Sequence, residues 1–194
     1  MTAPLTREQW LTDAVAALTP RFEALSLTVP TVRVSVGWPG GRGKKNAVIG
    51  QCWSTAASAD GVAQLFISPV LDDPVQVLST LLHELAHAVD DNEHGHRGPF
   101  VRTVRGLGLV GKPTATVASE ELAEELAELV EELGEYPHAR LTSLAGGPKK
   151  QTTRMLKVAC PGTGYTVRMT RKWIDEVGLP VCPCCDEKME EVVA

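Results

Sequence analysis

The chain has 194 residues, a formal net charge of −5, and 43% hydrophobic and 22% charged residues. That is globular composition, with apolar mass for one good core and a small satellite module. No apolar run approaches the roughly 20 residues of a membrane span, and MTAPLTREQW has no basic stretch followed by an apolar one, so neither a membrane segment nor a secretion leader is expected and the expected location is the cytoplasm.

From the N-terminus, Thr6 is a cap signal before apolar residues at helical spacing, Trp10, Leu11, Ala14, Val15 and Leu18. Pro20 is expected to end or kink that helix. TVRVSVGW alternates Val32, Val34 and Val36 on one face, a strand pattern, and AVIGQCWS and VAQLFISP are two further short runs rich in β-formers. The loop PGGRGKKN between the first two is not a phosphate loop: Trp38 stands where the first glycine belongs, Lys45 where Ser or Thr belongs, and a strand follows.

Asp72 and Asp73 before Pro74 open a helix that runs through VQVLSTLLHELAHAVD. Its apolar positions, from Val77 to Val89, cover so wide an arc that the helix must be buried. It carries His83 and His87 four residues apart, on one face a turn apart. Two imidazoles so placed can share one ion. Zinc suits them, because it takes neutral imidazole and lowers the pKa of water at an open position to about 7. Glu84 lies beside them as a candidate general base. Two histidines and a glutamate without partners would be costly in a buried helix, which favours a metal site. A third ligand must come from beyond the helix, and the candidates are His94 and His96. His96 is preferred, because the chain turns at Gly95 and at Gly98-Pro99 and then buries Phe100.

FVRTVRGLGLV reads as another helix that frays at its glycines. SEELAEELAELVEELG is an acidic amphipathic helix whose Leu122, Leu126, Leu129 and Leu133 pack on the domain while its charged face is solvated. PHARLTSLAGGPKKQTTR reads as a linker. The remainder, from about Met155, is too short for a core of its own and needs a staple.

Five cysteines are an odd set: Cys52 stands alone, and Cys160, Cys182, Cys184 and Cys185 crowd the C-terminus. In a reducing compartment such a cluster reads as metal-binding before disulfide. Cys182 and Cys185 have knuckle spacing, and Cys160 opens a second knuckle whose other cysteine is replaced by Thr163. A four-thiolate site cannot form. Cys184, Asp186 or water would complete the shell, or the hairpin survives without metal by packing Tyr165, Val167 and Trp173. From Arg140 to Lys172 every charged residue is basic: Arg140, Lys149, Lys150, Arg154, Lys157, Arg168, Arg171 and Lys172. Nucleic acid bound through phosphate contacts is therefore a candidate partner.

LLHELAHAVDDNEHGHRGPF resembles the active-site segment of the SprT-like zinc metallopeptidases, with HExxH on a helix and then a histidine loop before an aromatic residue. Aligned on Phe100, the resemblance puts the third ligand at His96. It covers roughly residues 6 to 110 and extends to a C-terminal zinc ribbon, here degenerate. It implies an α+β chain: a zincin-like metallopeptidase domain over 1–135 (N-terminal helix, three-stranded sheet, HExxH helix, further helices), a linker over 136–154, and a small β zinc-ribbon-like module over 155–194. The expected function is a zinc-dependent endopeptidase. His83, His87 and His96 hold a catalytic zinc, and Cys160, Cys182 and Cys185 hold a second, structural one. Extended protein substrates would lie along the strands, and association with DNA is implied. The alternative is a non-catalytic zinc-containing module that binds nucleic acid and protein.

Overall fold

In the first part of the chain, caps and apolar spacing set the elements where the sequence places them. The computed structural model describes residues 6–38, 48–141 and 155–192. The chain forms two compact units, Met1–Ala145 and Gly146–Ala194. Both mix helices with small sheets, so the class is α+β. No described helix is long and apolar enough to cross a membrane.

Helix α1, Arg7–Glu23, starts on Thr6, whose side chain accepts from Gln9 N. It does not end at Pro20. Trp10, Leu11, Ala14, Leu18 and Phe22 are all buried. The burial of Phe22 beyond the proline, about 1.5–3 kcal/mol, is comparable to the roughly 3 kcal/mol that an interior proline costs. Strands β1 (Val32–Val36), β2 (Gly50–Trp53) and β3 (Ala63–Ile67) form one sheet in the order β1-β3-β2. β3 is central, with Ala63, Leu65 and Ile67 buried, parallel to β1 and antiparallel to β2. That order leaves β2 at the sheet's edge.

Helix α2, Pro74–Val89, is capped by Asp73, which accepts from Gln76 N at 2.7 Å. It packs over β2 and β3, and Leu78, Leu81, Leu82 and Leu85 are fully buried. Helix α3 is Pro99–Gly106. The helix expected over FVRTVRGLGLV, fraying at its glycines, ends at Gly106, and Leu109-Val110 of that stretch are strand instead, because Gly106 and Gly108 deprive the helix of propensity. The chain then makes a hairpin of β4 (Leu109–Lys112) and β5 (Ala115–Ala118) around Pro113-Thr114. Helix α4, Glu120–Leu133, is capped by Ser119. Its Leu122 and Leu126 are buried, and Leu129 and Leu133 pack at the margin of the same core.

The expected linker begins later than at residue 136. Tyr136 is buried against Trp10, with ring centroids 4.9 Å apart. His138 lies between Arg7 Nη1 (3.2 Å) and the Pro69 carbonyl (2.9 Å), to which Leu141 N also donates. Residues 136–141 therefore belong to the first unit, and the rest of the expected linker lies outside the described residues.

The second unit contains β6 (Leu156–Ala159), β7 (Thr166–Met169), α5 (Arg171–Val177) and β8 (Glu190–Glu191), with sheet order β7-β6-β8. Among the described residues its core is Val158, Cys160, Cys182 and Met189, with Val167, Met169, Ile174 and Leu179 against them. Tyr165 and Trp173, expected to help hold the hairpin, are instead 43% and 51% exposed. Of the three residues expected to pack there, only Val167 does.

Trp10 ties α1 to the end of α4: it is fully buried, and its indole N–H donates to the Gly134 carbonyl at 2.9 Å. Trp10→Ala is expected to cost about 3–5 kcal/mol and Trp10→Phe about 1–3 kcal/mol, from the stranded carbonyl, both read by denaturant unfolding. A loss below about 1 kcal/mol for the alanine variant would place this packing outside the cooperative core.

Candidate metal centre

Three imidazoles converge above one phenylalanine. Helical spacing puts His83 and His87 of α2 on one face, and the loop before α3 brings in His96. One nitrogen from each ring lies within 4.8 Å of the other two. His87 Nε2 and His96 Nε2 are 3.2 Å apart, close to the roughly 3.3 Å between two nitrogens on one tetrahedral ion with bonds of about 2.0–2.1 Å. Phe100, fully buried at the start of α3, stacks under His87 (centroids 4.1 Å, planes 24° apart) and meets His83 and His96 edge-on at 5.1 and 5.2 Å. His94, the other candidate, is turned away: Asp90 Oδ1 holds its Nδ1 at 2.7 Å, and Asp90 Oδ2 its backbone N–H.

His83 Nδ1 is 2.8 Å from Thr116 Oγ1 of β5, which orients its ring and leaves Nε2 for the cluster. His87 Nδ1 has no such partner, and Phe100 is what holds that ring. Burial keeps both histidines neutral: His83 is lowered to about 4 and His87 to about 3, burial being the larger cause and neighbouring imidazole charge the lesser. His96 is lowered by burial as well. Neutral imidazole is the form that binds metal, so the donor set fits a divalent ion.

Glu84 is only 5% exposed, and burial pushes its carboxyl up to about 8. It presses against β2 at Gly50. A Cβ there would collide with Glu84 Oε1 and stand 2.8 Å from Thr80 Cγ2, so only glycine leaves space for the carboxylate. β2 is in turn fastened to the end of α2. Asp91 and Asn92 adopt left-handed backbone (φ 45° and 60°), which Asp and Asn tolerate. Asp91 accepts from Thr55 N and Oγ1 at 2.8 and 2.7 Å, and Asn92 Nδ2 donates to the Cys52 carbonyl at 3.0 Å. A cleft of about 390 Å³ results, with β2 and the 114–116 turn as walls and His83, Glu84, His87 and His96 between them. Cys52 also lines it, its thiol pushed up to about 12 by burial and then by Glu84.

The sequence reading missed Gly50, Asn92 and Thr116. Thr116 had a usable signal: Leu109-Val110 and Ala115–Val117 are β-prone runs separated by a Pro-Thr turn.

In the second unit Cys160, Cys182 and Cys185 also converge, each sulfur within 4.8 Å of the others. Cys160 Sγ accepts from Thr163 N at 3.4 Å, and Cys182 Sγ from Cys184 N at 3.5 Å. The Thr163 hydroxyl, 3.3 Å from Cys182 Sγ, is the main reason that thiol is lowered to about 6. Cys184, Asp186 and Glu187 are not part of this mutually close group. Of the candidate nucleic-acid residues, Lys149, Lys150 and Arg154 lie outside the described residues. Arg171 is bound to Glu191 at 2.5 Å, and Lys172 lies 3.8 Å from Glu176. Lys157 and Arg168 are exposed and stand directly opposite each other on β6 and β7. No family model matches the chain, and no curated protein or solved structure does either.

In the metal-free protein Glu84 keeps its proton between the ordinary carboxylate value of 4.5 and about 8, where the unfolded chain has released it. The folded state then binds more protons, so stability falls as pH rises through that window. His83 and His87 act oppositely, lowering stability as pH falls below 6.5, but they cancel when two chains sharing them are compared. Chelator-treated Glu84→Gln is therefore expected to gain in melting temperature on the native chain steadily from about pH 5 to about pH 8. A difference independent of pH would mean that Glu84 is ionised in the metal-free fold.

Proposed function

We propose that this protein is a zinc-dependent endopeptidase of SprT-like type with a zincin-like first domain. His83, His87 and His96 hold the metal, and Glu84 acts as general base. One observation carries the reading: three imidazole nitrogens lie within 4.8 Å of one another in a cleft whose wall also carries a buried carboxylate. A structural metal site has no use for that carboxylate.

Zinc held there would polarise a substrate carbonyl and lower the pKa of water to about 7. Glu84 takes the proton of the attacking water and passes it to the leaving amine. A cation beside it favours its ionised form against the effect of burial. Gly50 gives the carboxylate its place, and Thr116 holds His83 by Nδ1. Phe100 closes the space under the imidazoles. β2, an edge strand lining the cleft, offers its backbone to an extended peptide. All five cysteines are free thiols, which suits the cytoplasm.

The narrower reading, that the substrate is DNA-associated protein, is supported by Lys157 and Arg168. Like charges directly across two strands repel, and a phosphate between them would relieve the repulsion.

Glu84→Gln is expected to lower cleavage of a denatured protein substrate by about 100-fold or more with zinc content unchanged, whereas His96→Ala loses the zinc. Equal cleavage by Glu84→Gln and the native chain would overturn the mechanism. No cleavage by the native zinc-loaded chain, with or without single- or double-stranded DNA, would favour a binding module instead. Gly50→Ala is expected to cut activity about tenfold or more at unchanged zinc content, because the added methyl displaces the Glu84 carboxylate. Full activity in that variant would show that the carboxylate's seat against β2 is dispensable.

A further inference from the structure

The three-thiol group of the second unit has a carboxylate beside two of its sulfurs that the cysteine pattern does not reveal. Glu187 Oε2 lies 3.7 Å from Cys160 Sγ and 4.0 Å from Cys185 Sγ. The two sulfurs are 3.5 Å apart. Ligands on one tetrahedral zinc, with Zn–S of about 2.3 Å and Zn–O of about 2.0–2.2 Å, stand roughly 3.5–3.8 Å from each other. The carboxylate oxygen is thus spaced from two of the sulfurs nearly as a ligand in the same shell would be; it falls outside the group within 4.8 Å that includes Cys182, so an ion would have to draw it in. We propose that Cys160, Cys182, Cys185 and the Glu187 carboxylate form a structural zinc site, with glutamate in the place left by the cysteine that Thr163 replaces.

Three features of the chain support the carboxylate over the alternatives. Gly162 gives it room: a Cβ at that position would stand 2.5 Å from Glu187 Oε2. The turn is closed in the right register, because Cys182 N donates to the Glu187 carbonyl at 2.8 Å, and Asp186, left-handed at φ 57°, donates its N–H back to the Cys182 carbonyl. The Thr163 hydroxyl is already engaged, lying 3.3 Å from Cys182 Sγ while accepting from Tyr165 N.

The electrostatics point the same way. Glu187 makes no salt bridge among the described residues, yet it stands against two thiols. Both thiols donate to that carboxylate, and a divalent cation would displace the two thiol protons and hold thiolates and carboxylate together by attraction. Two backbone N–H groups already point at the sulfurs of Cys160 and Cys182, an arrangement that stabilises thiolate. The unit needs such a link, since its core among the described residues is four buried residues.

The test uses the full chain under reductant, loaded with cobalt(II) and titrated against a chelator. The sulfur-to-cobalt charge-transfer band reports the cysteine site alone, because the histidine site has no thiolate. Native protein is expected to show the band and to bind two equivalents of zinc. Glu187→Ala is expected to weaken metal at the cysteine site by about tenfold or more. Glu187→Cys is expected to restore the affinity and raise the band by about one third, from three thiolates to four. That rescue separates a ligand from a residue needed only for folding. The proposal is overturned if Glu187→Ala binds cobalt as tightly as the native chain. It is equally overturned if Glu187→Cys leaves the band at its three-thiolate intensity, or if the reduced native chain shows no band.

Discussion

A cluster of polar groups held inside an apolar helix packing is the constraint on which the first unit depends. His83, Glu84 and His87 occupy one side of α2, while Leu78, Leu81, Leu82 and Leu85 of the same helix are fully buried. Each leucine contributes about 1.5–3 kcal/mol by its burial. Together they exceed the few kcal/mol that desolvating two neutral imidazoles and a protonated carboxyl costs. The helix is thus stable enough to carry groups that would favour water. The same burial fixes their protonation: imidazoles neutral, carboxyl protonated when no cation is near. Ligand chemistry and packing are set by the same helix.

What was legible in the sequence follows the range of the interaction. The α2 caps, the His83–His87 spacing and the acidic helix's leucine stripe are local, and they were readable from residues three or four apart. His96 was readable because Gly95, Gly98 and Phe100 constrain a short loop. Thr116, Gly50 and Asn92 act across 33, 34 and 40 residues, and no local periodicity reports them. The β4–β5 hairpin was lost because Leu109 and Val110 continue the apolar pattern of α3, and only the glycines mark the change. In the second unit the search for a fourth ligand followed the knuckle spacing to Thr163. The ligand proposed above, a carboxylate two residues beyond Cys185, is of a type that ribbon spacing does not specify.

The two clusters are built on opposite principles. At the histidine cluster a large core exists without the metal, so the fold can hold three imidazoles in place before any ion arrives. At the cysteine cluster the ligands are part of the core itself: Cys160 and Cys182 are two of the four buried residues. Removing an ion from the first site therefore leaves a preformed cavity. Removing one from the second takes away part of what holds the strands together.

The cleft's two walls are attached to the α2 cluster by different means. β2 is bound at Gly50 by close contact with Glu84 and at Cys52 by Asn92, and Asp91 holds Thr55 just beyond it, so Glu84 and the edge strand form one rigid piece. The opposite wall, at Thr114–Thr116, reaches the cluster through a single hydroxyl on His83 Nδ1. The hairpin is also fastened away from the cluster, by fully buried Leu109 and by Arg105, whose guanidinium donates to the Leu109 and Gly111 carbonyls. If the chain is the peptidase proposed above, a peptide laid along β2 would keep its relation to Glu84, which is the relation proton transfer requires.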